Sequence, residues 1–306
     1  MTAPFHPDLA RARFIPRFSV TPRLVRLLDR LPTRPAARTP PSVVATEVRV
    51  SDTASFRLLR PAGVEGPLPC LLWLHGGGHL AGSPEQDDAQ NIAFVERLGI
   101  GVAALRYRLG SAAPYPASTD DAYAGLRALV ERAEELGVDT TRLAVGGSSA
   151  GGGLAAALVL LAHDRGEVDV AFQLLTYPML DDRTAARPVD DRRTRVWSAG
   201  SNRLGWSTYL GTAPGSPDVS PYAAPARRKD LSGLPPAWIG VGDLDLFHAE
   251  DLAHARRLRA AGVDCEVTEV PGAFHGFDVL FAKAPVSRRF RDAQVLALHR
   301  AGITTQ

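Results

Sequence analysis

The apolar positions of the chain follow two patterns. Val43 to Val50 and Phe56 to Arg60 are rich in β-formers and are punctuated by Asp52 and by Pro61-Ala62-Gly63, which predicts two hairpin-like strands. From Cys70 onward the alternation disappears. Leu71–Leu74 and Val102–Leu105 are continuous apolar runs, as expected of strands covered on both faces. Further strands are predicted at Leu143–Val145, Ala171–Leu175, Ala237–Val241 and Cys265–Val270. Helical stretches fall between and after them. One runs from about Ser118 to Leu136, with Ser118 and Thr119 as caps, Asp120 and Asp121 at its positive end, and Gly137 at its exit. Others span Ala150–Ala162, Ala249–Ala261 (ended by Gly262) and Val286–Arg300. Two hairpin strands followed by repeated βα units imply one mostly parallel sheet flanked by helices.

Two segments break this rhythm. Near the start, Thr21 can cap a helix and Pro22 suits its first position. Leu24, Val25, Leu28 and Leu31 then share one face, with Arg23, Arg26 and Arg30 toward water. The stretch from Asp181 to Ser232 has no strand pattern and is rich in Arg, Asp, Pro and Gly, with Trp197, Trp206 and Tyr209 among them. Each segment has apolar groups without a local partner. A helical cap built from about residues 1–41 and 181–232, on one domain spanning 1–306, is the expectation.

Composition excludes more than it suggests. Hydrophobic residues at 45% and charged residues at 22% are ordinary for a globular enzyme. A formal charge of +2 gives no reason to expect nucleic acid as a partner. No apolar run approaches the ~18 residues of a membrane span, so a soluble, cytoplasmic protein is expected. The eight arginines of the first forty residues are interrupted by prolines and flank no apolar core, which argues against a cleaved leader. Cys70 and Cys265 both fall in strands and are expected to be buried thiols rather than a disulfide.

Chemistry enters at Gly147-Ser148-Ser149-Ala150-Gly151, a G-x-S-x-G pentapeptide between a buried strand and a helix. That turn is sharp enough to strain its central serine and raise the hydroxyl above the sheet, and flanking glycines remove colliding Cβ atoms. The helix that follows points its positive end at the same place. Ser148 is the rival hydroxyl, but centring the motif there puts Ala150 where the second glycine belongs. Ser149 is the candidate nucleophile.

His75-Gly76-Gly77-Gly78 follows the third strand. Acyl transfer passes through an oxyanion that fixed backbone N–H groups stabilise, each worth ~10²–10³ in rate. Gly77, Gly78 and Ala150 are the expected donors, with Gly76 as the alternative and His75 as an anchor of the loop. A serine also needs a base and an orienting carboxylate, in the chain order Ser, acid, His, on loops after strands. Of the eight histidines only His275 lies just beyond the last strand. His79 is out of order for a base but close enough to the glycine loop to meet substrate. The loop after Ala237–Val241 offers two acids, Asp243 and Asp245.

Together these motifs resemble the hormone-sensitive-lipase-like, H-G-G-G-bearing esterase branch of the α/β-hydrolases. The likeness extends over about Ser42 to Arg300, including Tyr107-Arg108-Leu109. The family's acid opens a D-P-L-R-D-E segment, matched here by Asp245-Leu246-Phe247-His248-Ala249-Glu250, which places the acid on Asp245 and leaves Asp243 to shape the loop. Two departures stand out. The centre of that segment has changed, and the family's P-E-H after Y-R-L-A is replaced by Gly110-Ser111-Ala112-Ala113-Pro114.

The resemblance implies an eight-stranded α/β-hydrolase fold with a cap, acting on short- to medium-chain esters without metal or organic cofactor. It also implies a small-molecule ester as partner and, as in several members, a homodimer. Alternatives are an acyltransferase, an amide or lactone hydrolase, or a ligand sensor on the same fold, though such a sensor lacks the histidine present here as His275. The chain contains no H-E-x-x-H zinc motif, and Gly76-Gly77-Gly78 lacks the spacing of a dinucleotide fingerprint.

Overall fold

In a computed structural model, residues 5–28 and 38–306 are described. Arg30 and Leu31, assigned above to the N-terminal helix, lie outside the described residues, as do the side chains of Arg26 and Leu28.

Eight strands form one sheet in the order β1-β2-β4-β3-β5-β6-β7-β8. They are β1 (Val43–Arg49), β2 (Ser55–Pro61), β3 (Leu68–Leu74), β4 (Gly101–Arg106), β5 (Val138–Ser148), β6 (Phe172–Thr176), β7 (Ala237–Gly242) and β8 (Cys265–Val270). The β1–β2 and β2–β4 pairs are antiparallel, and every other pair is parallel. Every residue of β3 and β7 is buried, which explains their unbroken apolar sequences. At the edge of the sheet, β1 keeps an exposed face.

The helices are α1 (Pro22–Leu28), α2 (Asp88–Leu98), α3 (Ala117–Glu131), α4 (Ala133–Leu136), α5 (Ala150–Arg165), α6 (Arg183–Ala186), α7 (Ala199–Leu210), α8 (His248–Ala260), α9 (Phe277–Leu280) and α10 (Pro285–Arg300). The helix expected over Ser118–Leu136 is interrupted at Arg132, whose ψ of 26° separates α3 from α4. Gly137 closes it in the left-handed region, as its position suggested. Helix α5 is apolar nearly all round because it packs on β5, β6 and α3. Two large clusters, one on each side of the sheet, form the core.

A third, smaller cluster lies beyond the carboxyl ends of the strands. It joins Val25 of α1 to Trp197, Trp206 and Tyr209 of the 181–232 stretch, and reaches Leu80 and Ala150 below. Polar contacts tie the same segments together. Ser19 Oγ lies 2.8 Å from Ser198 Oγ, the Val20 amide donates to Ser201 Oγ at 2.8 Å, and Arg17 pairs with Asp191 at 2.7 Å. Residues before these take a different course. The turn Pro7–Phe14 buries Leu9 and Ala12 in the main core, and Asp8 caps α10 by accepting from the Val286 amide at 2.9 Å. Cys70 and Cys265 are free buried thiols, and burial pushes them up to about 12 and 11.

Candidate active site

Ser149 stands between β5 and α5 with φ 56° and ψ −122°, a conformation that costs a non-glycine residue of order 1–3 kcal/mol and must be held from outside. Backbone hydrogen bonds to neighbouring residues supply the hold. The Ser149 amide donates to Thr176 O at 2.9 Å, and its carbonyl accepts from the amides of Gly153 and Met179 at 3.0 Å. The glycines are required by close approach. A Cβ on Gly147 would lie 2.5 Å from Gly151 O, and one on Gly151 2.1 Å from Leu74 O.

His275 is carried on the loop after β8. Its Nε2 lies 2.9 Å from Ser149 Oγ and its Nδ1 2.7 Å from Asp245 Oδ2. The other Asp245 oxygen accepts from the Phe247 amide at 3.0 Å. Serine, imidazole and carboxylate are all buried, the Asp245 side chain completely. The rings of Tyr177 and Phe247 meet the imidazole edge-on, at centroid distances of 4.7 and 5.2 Å, and fix its plane. Asp243 takes a different partner: its Oδ1 accepts from the Gly272 amide at 2.6 Å, joining the acid's loop to the histidine's. Gly242 allows that contact, since a Cβ there would sit 2.2 Å from Ala273 O. The altered segment after Asp245 is anchored by Glu250, which accepts from the Leu180 and Asp181 amides at 2.8 and 3.1 Å.

The glycine loop faces this triplet. Gly77 has φ 127° and Gly78 φ 64°, both suited to glycine. Among the described residues, the amides of Gly77, Gly78 and Ala150 donate to no protein acceptor, which leaves them available to a ligand oxygen. The Gly76 amide makes no such bond either, so hydrogen bonding alone does not separate it from the other two. His75 anchors the loop. Its ring stacks on Tyr107 at 4.4 Å, its Nδ1 lies 2.9 Å from Gly76 O, and Tyr107 donates to its carbonyl at 2.6 Å. Burial lowers the His75 imidazole to about 4, so it is neutral. His79 is buried under the third cluster, stacked on Tyr209 at 3.8 Å, and is not on the cavity wall. The remaining histidines lie elsewhere; His248, for example, pairs with Glu269 at 2.9 Å.

A cavity of about 570 Å³ opens beside Ser149 and His275. Its walls are largely apolar, with Phe18, Val25, Leu80, Trp197, Val279 and Leu280 among them. Trp197 was expected in the roof of such a pocket, whereas Phe18 was not assigned to it from sequence. Neither were Tyr177 and Asp87, which also line it. In chemical terms the arrangement offers a hydroxyl, a base oriented by a carboxylate, and unspent amides, gathered at one largely apolar cavity.

Comparison with known proteins agrees with this architecture. A family model described as alpha/beta hydrolase fold matches residues 71–279. Carboxylesterase NlhH of Mycobacterium tuberculosis is 33% identical over 287 residues, covering 86% of each chain. Ethyl acetate hydrolase of Pseudomonas putida is 33% identical over 239 residues, covering 77% of this chain and 75% of its own. Among solved structures, one titled Bacterial Heroin Esterase superposes with a TM-score of 0.85 at 38% identity, covering 97% of this chain and 98% of its own. On its sheet, its elbow and these relatives, the chain belongs to the α/β-hydrolase family, in the hormone-sensitive-lipase-like branch of ester hydrolases.

Proposed function

We propose that the chain is a serine carboxylesterase that hydrolyses short- to medium-chain carboxylic esters through an acyl-enzyme. The observation that carries this reading is the unbroken relay from Ser149 Oγ through His275 to Asp245, at 2.9 and 2.7 Å, with the serine held in a strained elbow. The names of the relatives, a carboxylesterase and an ethyl acetate hydrolase, point the same way.

In this mechanism Ser149 Oγ attacks the ester carbonyl while His275 Nε2 takes its proton. Asp245 keeps the imidazole in the tautomer that accepts at Nε2 and stabilises its charged form. The carbonyl oxygen becomes an oxyanion bound by the amides of Gly77, Gly78 and Ala150. His275 then protonates the departing alkoxide, leaving the acyl group on Ser149. Water, deprotonated by the same imidazole, attacks the acyl carbon, and the carboxylic acid leaves. The segment from Arg17 to Val25 and the 181–232 stretch act as a cap that bounds the acyl chain. Their apolar side chains favour an alkyl group short enough for a cavity of about 570 Å³.

The test uses a fluorophosphonate label and Ser149→Ala. The label should attach at Ser149 alone, and Ser149→Ala should lose nitrophenyl acetate hydrolysis with its melting temperature unchanged. An adduct on another serine overturns the assignment. A nitrophenyl series from acetate to laurate locates the acyl length at which kcat/KM falls, and an added alcohol as competing acceptor distinguishes hydrolysis from acyl transfer.

A further inference from the structure

The apolar cavity has one charge-bearing side chain on its wall that the proposed chemistry does not use. Asp87 ends the turn Pro84–Asp87 just before α2, and is half-buried at the cavity wall. Trp73 holds it from β3, donating from Nε1 to Asp87 Oδ2 at 2.7 Å. Among the described residues, no arginine or lysine forms an ion pair with it.

The neighbouring groups do not supply the missing positive charge. Asp88, next in the chain, pairs with Arg57 at 2.9 Å. Asp278 of α9 approaches from the other side, accepting from the Tyr177 hydroxyl at 3.1 Å. Arg291 of α10 donates to the backbone carbonyls of Asp278 and Ala282. Burial first, then the proximity of Asp278 and Asp88, push the Asp87 carboxyl up to about 7. Ionisation is opposed by burial, and no cationic side chain is bonded to the carboxylate to offset it.

Two other features bear on what supplies that charge. The rings of Phe18, Tyr177 and Trp197 line the same cavity, and aromatic faces attract cations, most strongly when water is excluded. The space also continues past Asp87: an adjoining cavity of about 560 Å³ shares Gln86, Asp87 and Val279 with the first and is lined beyond them by Asp278, Asp292, Arg97, Arg288 and Arg291.

We propose that the substrates favoured by this pocket are esters carrying a positively charged amine, with the ammonium seated against Asp87 between aromatic walls. The inference rests on the reading of Ser149 as the nucleophile of an esterase. It adds a preference, not a requirement, since neutral esters fill the same apolar walls.

Matched pairs test it. Acetylcholine against 3,3-dimethylbutyl acetate places a fixed charge on the alcohol side. The nitrophenyl ester of 4-(trimethylammonio)butanoic acid against that of 5,5-dimethylhexanoic acid places it on the acyl side. At pH 8 at least one pair should show a cationic-to-neutral kcat/KM ratio of about tenfold or more, the scale of a partly desolvated ion pair. Because these ammonium groups do not titrate, the ratio should fall as pH drops through about 7 and Asp87 gains its proton.

Asp87→Asn should bring the ratio to near one, and reading a ratio cancels any loss common to both esters. Asp278→Asn, by removing a neighbouring negative charge, should move the pH midpoint of the ratio downward. Calorimetric binding of the same pairs to Ser149→Ala protein gives the preference without turnover, so failure of the esterase reading and failure of this one are distinguishable. Ratios near one in both pairs from pH 6 to 9, or a preference that survives Asp87→Asn, overturn the proposal.

Discussion

Around Ser149 the chain is held by backbone pressed against backbone, whereas around Trp197 side chains do the holding. A Cβ added at Gly77, Gly147, Gly151 or Gly242 would come within 1.8–2.6 Å of a backbone carbonyl oxygen. At Gly78, where the two regions meet, the obstacle is instead the indole of Trp197, 2.1 Å away. Backbone contacts of this kind admit one residue type and fix the hydroxyl, imidazole and amides in place. Side-chain contacts can be rebuilt with another apolar residue, usually at a cost under about 1.5 kcal/mol when volume is kept. The lower region is therefore suited to chemistry that tolerates no displacement, and the upper one to adjusting which ester fits.

The largest effects should come from the lower region. Asp245→Asn keeps the geometry but allows the wrong imidazole tautomer, and should reduce kcat by about 10⁴. Asp243→Asn loses part of one loop contact, the bond to the Gly272 amide, and should keep most of the rate while lowering the melting temperature. Steady-state kinetics of the two variants on nitrophenyl acetate decide between them. If Asp243→Asn were the more damaged, the acid would be assigned wrongly.

The same contrast governs what the sequence disclosed. Backbone-determined features were legible: glycine spacing marked the elbow and the H-G-G-G loop, and unbroken apolar runs marked the buried strands. Choosing Asp245 over Asp243 needed the family pattern, because both follow β7 within three residues. The structure shows the physical distinction, with one carboxylate turned to His275 and the other to an amide. Features set by tertiary contact were not legible. Helix α7 carries two glycines and several polar residues, and its α-helical form owes more to burying Trp206 and Tyr209 than to propensity. Helix α2 was likewise unassigned, its periodicity broken by the buried Asn91. Asp87 became visible only when β3, α2 and α9 were brought around one cavity.

At the boundary between the regions, Gly78→Ala should cost about 10²-fold in kcat/KM. The added Cβ is disfavoured at φ 64° and strikes Trp197, so the loop and its amides must move. Trp197→Ala removes the obstacle and should restore about tenfold of that loss, a coupling that a double-mutant cycle reads directly. Strict additivity would mean that Trp197 and the glycine loop act independently. Trp197→Ala alone should have a smaller effect, moving the preferred acyl chain toward longer esters in the nitrophenyl series. An unchanged profile would mean that Trp197 does not bound the acyl chain.

The smallest effect concerns stability rather than rate, and sharpens the comparison by asking how dry the upper region is. His79 is buried, stacked on Tyr209, and its Nδ1 has no hydrogen-bond partner among the described residues. Burial, followed by the nearness of His75, lowers its imidazole to about 3, well below the 6.5 expected when unfolded. The unfolded chain therefore takes up a proton below pH 6.5 that the folded chain refuses. The stability contributed by a neutral His79 is complete above pH 6.5 and declines as pH falls toward 3. The decline is up to about 1.4 kcal/mol for each pH unit. His75 and His254, each lowered to about 4 by burial, add declines of the same sign. Phenylalanine can keep the stack on Tyr209 but cannot titrate, so His79→Phe should remove one of these three contributions. Urea unfolding at pH 7, 6, 5 and 4.5 measures the slope for both proteins. The wild type should lose stability more steeply below pH 6, by close to 1.4 kcal/mol per unit between pH 5.5 and 4.5. Parallel slopes would mean that water reaches His79, and that the region above the glycine loop is not the sealed layer its packing describes.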